Sequence, residues 1–134
     1  MLDPIYCVKA IYSGAVWEVE FTDEFGEWWE TLSLEQQAEV RKRVNLLQQK
    51  GPALGRPTVD TITGSTISNL KELRTSAAGI LRILFVFDPR RTAILLLGGD
   101  KTGQWVEWYE WAIPEAERLY VVYLEELREE GLIE

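Results

Sequence analysis

From Val16 onward the apolar residues change period in a way that marks out successive elements. Trp17, Val19 and Phe21 alternate with Glu18 and Glu20, the period of a half-buried strand. Thr22 or Asp23 can then cap a short helix over Glu24–Leu32, whose early carboxylates suit the positive end of a helix. Ser33-Leu34-Glu35-Gln36 has capping-box spacing and opens a second helix, along which Val40, Val44 and Leu47 recur at helical intervals. Gly51-Pro52 ends it, because glycine tolerates the left-handed cap and proline cannot continue the helix. Trp28 and Trp29 are neighbours on the first helix and cannot both face one core, so one of them is expected to stay partly exposed.

The stretch from Gly51 to Ser68 is too rich in Gly, Pro and Thr for a long helix but holds a short strand near Thr58–Ile62. A meander follows. Asn69–Thr75 is expected as a strand, Ser76–Gly79 as a turn and Ile80–Phe87 as a long buried strand interrupted by Arg82. Asp88-Pro89-Arg90-Arg91 makes a turn, with proline fixing φ after an aspartate that can bond the backbone. Thr92–Leu97 is the last strand, and Gly98-Gly99 is expected to end it. Pro114 suits the first turn of a C-terminal helix, in which Ala116, Leu119, Tyr120, Tyr123, Leu124 and Leu127 form an apolar stripe that Gly131 closes. Residues 1–15 show no clear period and read as a loose extension of a single domain covering residues 1–134. The order predicts an α+β fold, a small antiparallel sheet backed by N-terminal helices and a C-terminal helix. Asn69 to Leu97 should form three consecutive antiparallel strands packed on helices drawn from residues 24–50.

A length of 134 residues, 46% of them hydrophobic, fits one core and lies in the usual globular range, so a folded chain rather than a disordered one is the starting expectation. The single Cys7 has no intrachain disulfide partner, which points to a reducing, cytoplasmic setting. No apolar run approaches the roughly 20 residues of a membrane span. Asp3, Pro4 and Lys9 interrupt the N-terminal apolar residues, against a secretory signal. The net charge of −8 argues against a nucleic-acid partner until its distribution is considered. Residues 1–69 carry 6 basic and 10 acidic side chains, residues 70–103 carry 6 and 3, and residues 104–134 carry 2 and 9. A basic island of net +3 therefore sits inside an acidic chain, and local potential governs a phosphate site.

There is no histidine, so Ser-His-Asp and Cys-His catalysis and His-ligated zinc are excluded within this chain. Gly98-Gly99-Asp100-Lys101-Thr102 lacks P-loop spacing. The glutamates of the C-terminal helix read as a solvated face. Alternation puts Lys71 on the opposite strand face from Glu72, and Glu72 on the same face as Arg74. Arg82 lies within a strand that otherwise wants burial, so it must pair with a carboxylate, for which Glu72 is the neighbouring candidate, or face a polar cleft.

Asn69-Leu70-Lys71-Glu72-Leu73-Arg74, Leu81 to Arg91 and Leu97 to Gly103 combine with Val16–Phe21, Glu24 to Trp29, Gly51 to Pro57 and Trp108-Tyr109 through Ile113-Pro114. In that order they resemble the phage-derived HigB branch of the RelE toxin superfamily, over roughly residues 16–131. The resemblance implies a small antiparallel sheet backed by helices. It also implies cleavage of mRNA in the ribosomal A site with the 2′-hydroxyl as nucleophile, without a metal or other cofactor. The implied partners are the ribosome, mRNA and a restraining HigA-like helix-turn-helix antitoxin. Carried over by position, Glu72 is the expected base, Arg82 and Arg74 the phosphate clamp, and Lys101 the electrostatic donor. Lys71 and Arg90 add basic contacts to RNA, and Trp105 or Tyr109 can stack a base. Where relatives often carry a basic residue or His, this chain has Thr66-Ile67-Ser68 and Thr75-Ser76-Ala77-Ala78. That departure supplies the competing reading, a non-catalytic protein that keeps the toxin fold and binds an antitoxin.

Overall fold

The computed structural model describes residues 17–75, 80–100 and 105–134; the turn expected at Ser76–Gly79 and the extension expected at residues 1–15 lie outside them. Strand β1 (Val19–Phe21) leads into helix α1 (Asp23–Glu30) and helix α2 (Leu34–Lys50). Four strands follow, β2 (Val59–Thr61), β3 (Lys71–Arg74), β4 (Leu81–Phe87) and β5 (Ala93–Asp100), and helix α3 (Trp105–Glu129) completes the chain. Both helix starts obey the local chemistry of the sequence. The Thr22 hydroxyl accepts from the Phe25 amide and donates to the Leu96 carbonyl, capping α1 and tying it to β5. Ser33 and Gln36 close a complete capping box on α2.

The sheet order is β1-β5-β4-β3-β2. Strands β3, β4 and β5 are consecutive and antiparallel, as expected, and β2 continues the pattern. β1, however, pairs with β5 in parallel, so the sheet is mixed rather than purely antiparallel. The chain crosses from one edge to the other through α1 and α2 before the meander returns, and β1 then lies alongside the last strand.

Each face of the sheet is covered. Leu73, Ile83, Phe85 and Leu95 join Phe25, Trp29, Val40, Val44 and Leu47 beneath α1 and α2. Leu84, Val86, Ile94 and Leu96 pack against Ala112, Ala116 and Leu119 of α3. Two expectations need correction. Gly98-Gly99 does not end β5 but lies inside it, because each glycine admits a tryptophan ring that a Cβ would overlap, Trp28 at Gly98 and Trp108 at Gly99. Pro114 does not sit in the first turn of α3 but well inside the helix. It is exposed there, and the buried stripe runs past it from Ala112 to Ala116, so packing outweighs the single helical hydrogen bond that proline removes. Trp29 is fully buried and Trp28 half-buried over Gly98, which resolves the adjacent pair. No helix among the described residues is long and apolar enough to cross a membrane.

Candidate active site

The side chains expected to carry chemistry meet where β3 and β4 begin their pairing, under the N-terminal part of α3. Arg74 stands directly opposite Arg82 in the β3–β4 register, with Glu72 two residues away on the same face. Two like charges facing one another repel, and Glu72 offsets that repulsion by taking both. Its Oε2 accepts from Arg74 Nε at 3.0 Å, and its Oε1 lies 3.6 Å from Arg82 Nε. The Tyr109 hydroxyl, reaching down from α3, donates to Oε1 as well. The Glu72 residue is 2% exposed, so these side chains, rather than water, meet its carboxyl group.

Both arginines have further anchors. Arg74 Nη2 donates to Asp60 Oδ2 at 3.0 Å, and Asp60 accepts from Arg56 at 3.1 Å. Arg56 beside it, and the Thr61 amide, hold the Asp60 carboxyl below its usual range. Arg82 Nη1 donates to the carbonyls of Leu81 and Thr75 at 3.0 and 3.2 Å. Burial works against the Arg74 charge, but the bond to Glu72 and the nearby Asp60 outweigh it and raise its pKa. Burial, then Glu72, pushes the Tyr109 phenol well above its ordinary value, so it stays a neutral donor at physiological pH.

Two clefts flank this cluster. One of about 240 Å³ is lined by Arg43, Pro57, Arg74, Thr75 and Arg82. The other, about 520 Å³ and largely apolar, lies along α3 beside Tyr109, Ile113 and Pro114. Sequence reasoning missed Arg43 and Asp60. Arg43 projects from α2, nearly thirty residues from the basic island, and bonds Glu39 and Thr58. Nothing in its helical spacing separates it from an ordinary surface arginine.

The basic island does not converge as a whole. Lys71 pairs in register with Phe85 and shares the α2 face with Leu73, so strand alternation keeps it away from Glu72. Arg90 lies beyond the far end of β4, where it bonds Asp88 at 2.7 Å and Glu20 at 2.8 Å. Lys101 is outside the described residues. Trp105 opens α3, and its side chain is likewise undescribed. Tyr109 does reach the cluster, edge-on to Trp108 with ring centroids 5.0 Å apart.

The family model for Phage derived protein Gp49-like matches residues 27–121. The chain belongs to this Gp49-like family of phage-derived proteins. The chain is 50% identical over 91 residues to the putative toxin HigB3 of Mycobacterium tuberculosis, covering 68% of this chain and 79% of that protein. It is 40% identical over 104 residues to the putative toxin HigB2 of the same organism, covering 76% of this chain. The match spans about half of HigB2, 52% of its length. The HigB-like resemblance drawn from the ordered motifs is therefore shown, and Glu72, Arg74, Arg82 and Tyr109 all fall within the matched segment.

Proposed function

We propose that this Gp49-like chain is the toxin of a type II toxin–antitoxin pair and cleaves mRNA on the ribosome. The observation that carries the reading is Glu72 held between Arg74, Arg82 and Tyr109 at the edge of an arginine-lined cleft. RNA cleavage by the 2′-hydroxyl needs a proton acceptor and cations on the developing phosphorane, and this cluster supplies both kinds of group. The 2′-oxygen attacks the adjacent phosphorus and its proton passes to a carboxylate oxygen of Glu72. The bond from phosphorus to the 5′-oxygen breaks, and that oxygen takes up a proton as it leaves. Arg74 and Arg82 face the phosphate from the cleft, and the apolar groove beside Tyr109 receives a neighbouring base. Lys101, close in sequence to the end of β5, remains the proposed donor near the leaving oxygen. The work is done in the cytoplasm, and a HigA-like helix-turn-helix antitoxin restrains it.

A specific observation favours the second reading, a non-catalytic antitoxin-binding protein with the toxin fold. Glu72 is already engaged by two arginines and a phenol. Three of the about four lone-pair positions of a carboxylate are thereby taken, and the residue is 2% exposed, so a substrate hydroxyl reaches the remaining position only where the cluster opens. Inducible expression with and without the protein from the adjacent reading frame tests the two readings. Growth arrest with new mRNA 5′ ends by primer extension, both lost in Glu72→Gln, supports the nuclease. Binding of the neighbour without any cleavage supports the second reading.

A further inference from the structure

The side of α3 turned away from the sheet carries apolar side chains where a helix bordered by water carries polar ones. Trp111 is 58% exposed, Val121 55% and Val122 42%, and Pro114 is exposed beside them. Glu107, Trp111, Pro114, Arg118, Val121 and Glu125 succeed one another at alternating intervals of four and three residues, the seam along which a second helix packs. From Trp111 to Val122 the seam runs about 16 Å. The charge around it is predominantly negative. Helix α3 holds seven glutamates against two arginines, and one of those, Arg118, is already bonded to Glu115 at 2.7 Å. Next to Val122, a cleft of about 180 Å³ opens between α1 and α3, where Asp23, Glu24 and Glu126 outnumber one cation, Arg118, among its walls.

We propose that this face seats a helix of a basic partner protein, the antitoxin. Apolar residues at 3-4 spacing would rest on Trp111, Pro114, Val121 and Val122, while a lysine or arginine enters the predominantly acidic cleft beside Val122. The identification of that partner rests on the toxin reading above; the chemistry of the surface does not. A second copy of this chain would set seven glutamates against seven, and an anionic membrane or nucleic acid meets the same repulsion. Tyr109 projects from roughly the opposite side of α3, so the partner docks without covering Glu72.

The test uses two probes: the protein encoded by the reading frame adjacent to this gene, and a synthetic helical peptide with leucines at 3-4 spacing flanked by lysines. Titration into the isotope-labelled chain should shift amide resonances on the outer face of residues 107–126. Affinity should fall steeply with salt. Trp111→Glu and Glu126→Lys, both on exposed side chains, should each weaken binding at least about tenfold, equivalent to ~1.4 kcal/mol, with unchanged melting and unchanged mRNA cleavage. Binding of the neighbour that shifts other residues and ignores both variants overturns this surface while leaving the toxin reading intact. Failure of both probes to bind also overturns it, as does concentration-dependent shifting of the same face with no probe present. The toxin reading is tested apart from this, by growth arrest and cleavage from the unpartnered chain.

Discussion

Replacing Arg82 by alanine separates a phosphate clamp from a purely structural arginine, and the structure sets the size of the effect. The Arg82 side chain is 11% exposed, so its guanidinium is mostly embedded. Breaking a buried ion pair generally costs about 3–5 kcal/mol because the surviving charge is stranded. Here the survivor is not stranded: Glu72 keeps Arg74 at 3.0 Å and the Tyr109 hydroxyl. What is lost are the charge-assisted bonds to the Leu81 and Thr75 carbonyls and a longer contact to Glu72. At the modest net value of such bonds, partly refilled by water from the adjoining cleft, the loss comes to about 2–3 kcal/mol. With an unfolding entropy of roughly 2.1 cal/mol/K per residue, a chain of this length should lose roughly 7–11 °C in Tm. The assay is a calorimetric melt of Arg82→Ala, paired with ribosome-dependent primer extension. Cleavage should disappear at temperatures where the variant is fully folded. A melt within about 2 °C of the parent would show that the guanidinium is not embedded. Undiminished cleavage would refute its place on the phosphate. In a double-mutant cycle with Glu72→Gln, the two changes should be clearly non-additive, since they share one contact.

At the other end of β4, Arg90→Ala should cost about 1–3 kcal/mol, because the buried Asp88 carboxylate loses its guanidinium but keeps the backbone amides of residue 90 and Thr92, while cleavage at a permissive temperature is unchanged; a chemical melt and primer extension read the two separately. Because burial and Glu72 raise the Tyr109 phenol above its ordinary pKa, the stability it confers is complete below pH about 10 and is lost as pH rises through the folded value. Burial raises the Tyr120 phenol as well, so ultraviolet titration at alkaline pH should lose one of its late steps in Tyr109→Phe and keep another; late steps unchanged in amplitude by the substitution would refute the assignment. Gly98→Ala should cost about 1–3 kcal/mol by driving a methyl into the Trp28 ring, and Trp28→Leu in the same chain should recover most of it; an unperturbed melt for Gly98→Ala alone would contradict that packing.

Local chemistry made much of the fold legible. Thr22, Ser33 and Gln36 announce their helix starts through side chains that bond the adjacent backbone, and the structure uses all three in that way. The meander from β3 to β5 was written in apolar runs separated by turn residues. The parallel partner of β1 was not readable, because alternation defines which face of a strand is buried and says nothing of its neighbour. Pro114 and Gly98-Gly99 misled for a common reason. Each is a breaker by intrinsic preference, and each is overruled by packing with residues distant in sequence. At the candidate site, strand alternation already grouped Glu72 with Arg74 and set Lys71 apart. Arg43 and Asp60 stayed hidden because their nearness to Arg74 and Arg82 exists only once α2 and β2 are folded against the meander.

Gly98 and Gly99 are consecutive in β5, so the spaces left by their missing side chains open on opposite faces of the sheet. An indole fills each one, Trp28 from below and Trp108 from above. At this point β5 puts no side chain of its own on either face, and the two helical layers are pinned through it like plates on a rivet. Trp108 is followed directly by Tyr109, the residue whose hydroxyl reaches Glu72. The seat of Trp108 on Gly99 therefore fixes how far down Tyr109 can reach, and a residue with no side chain of its own becomes the spacer that sets the height of the roof over the candidate site.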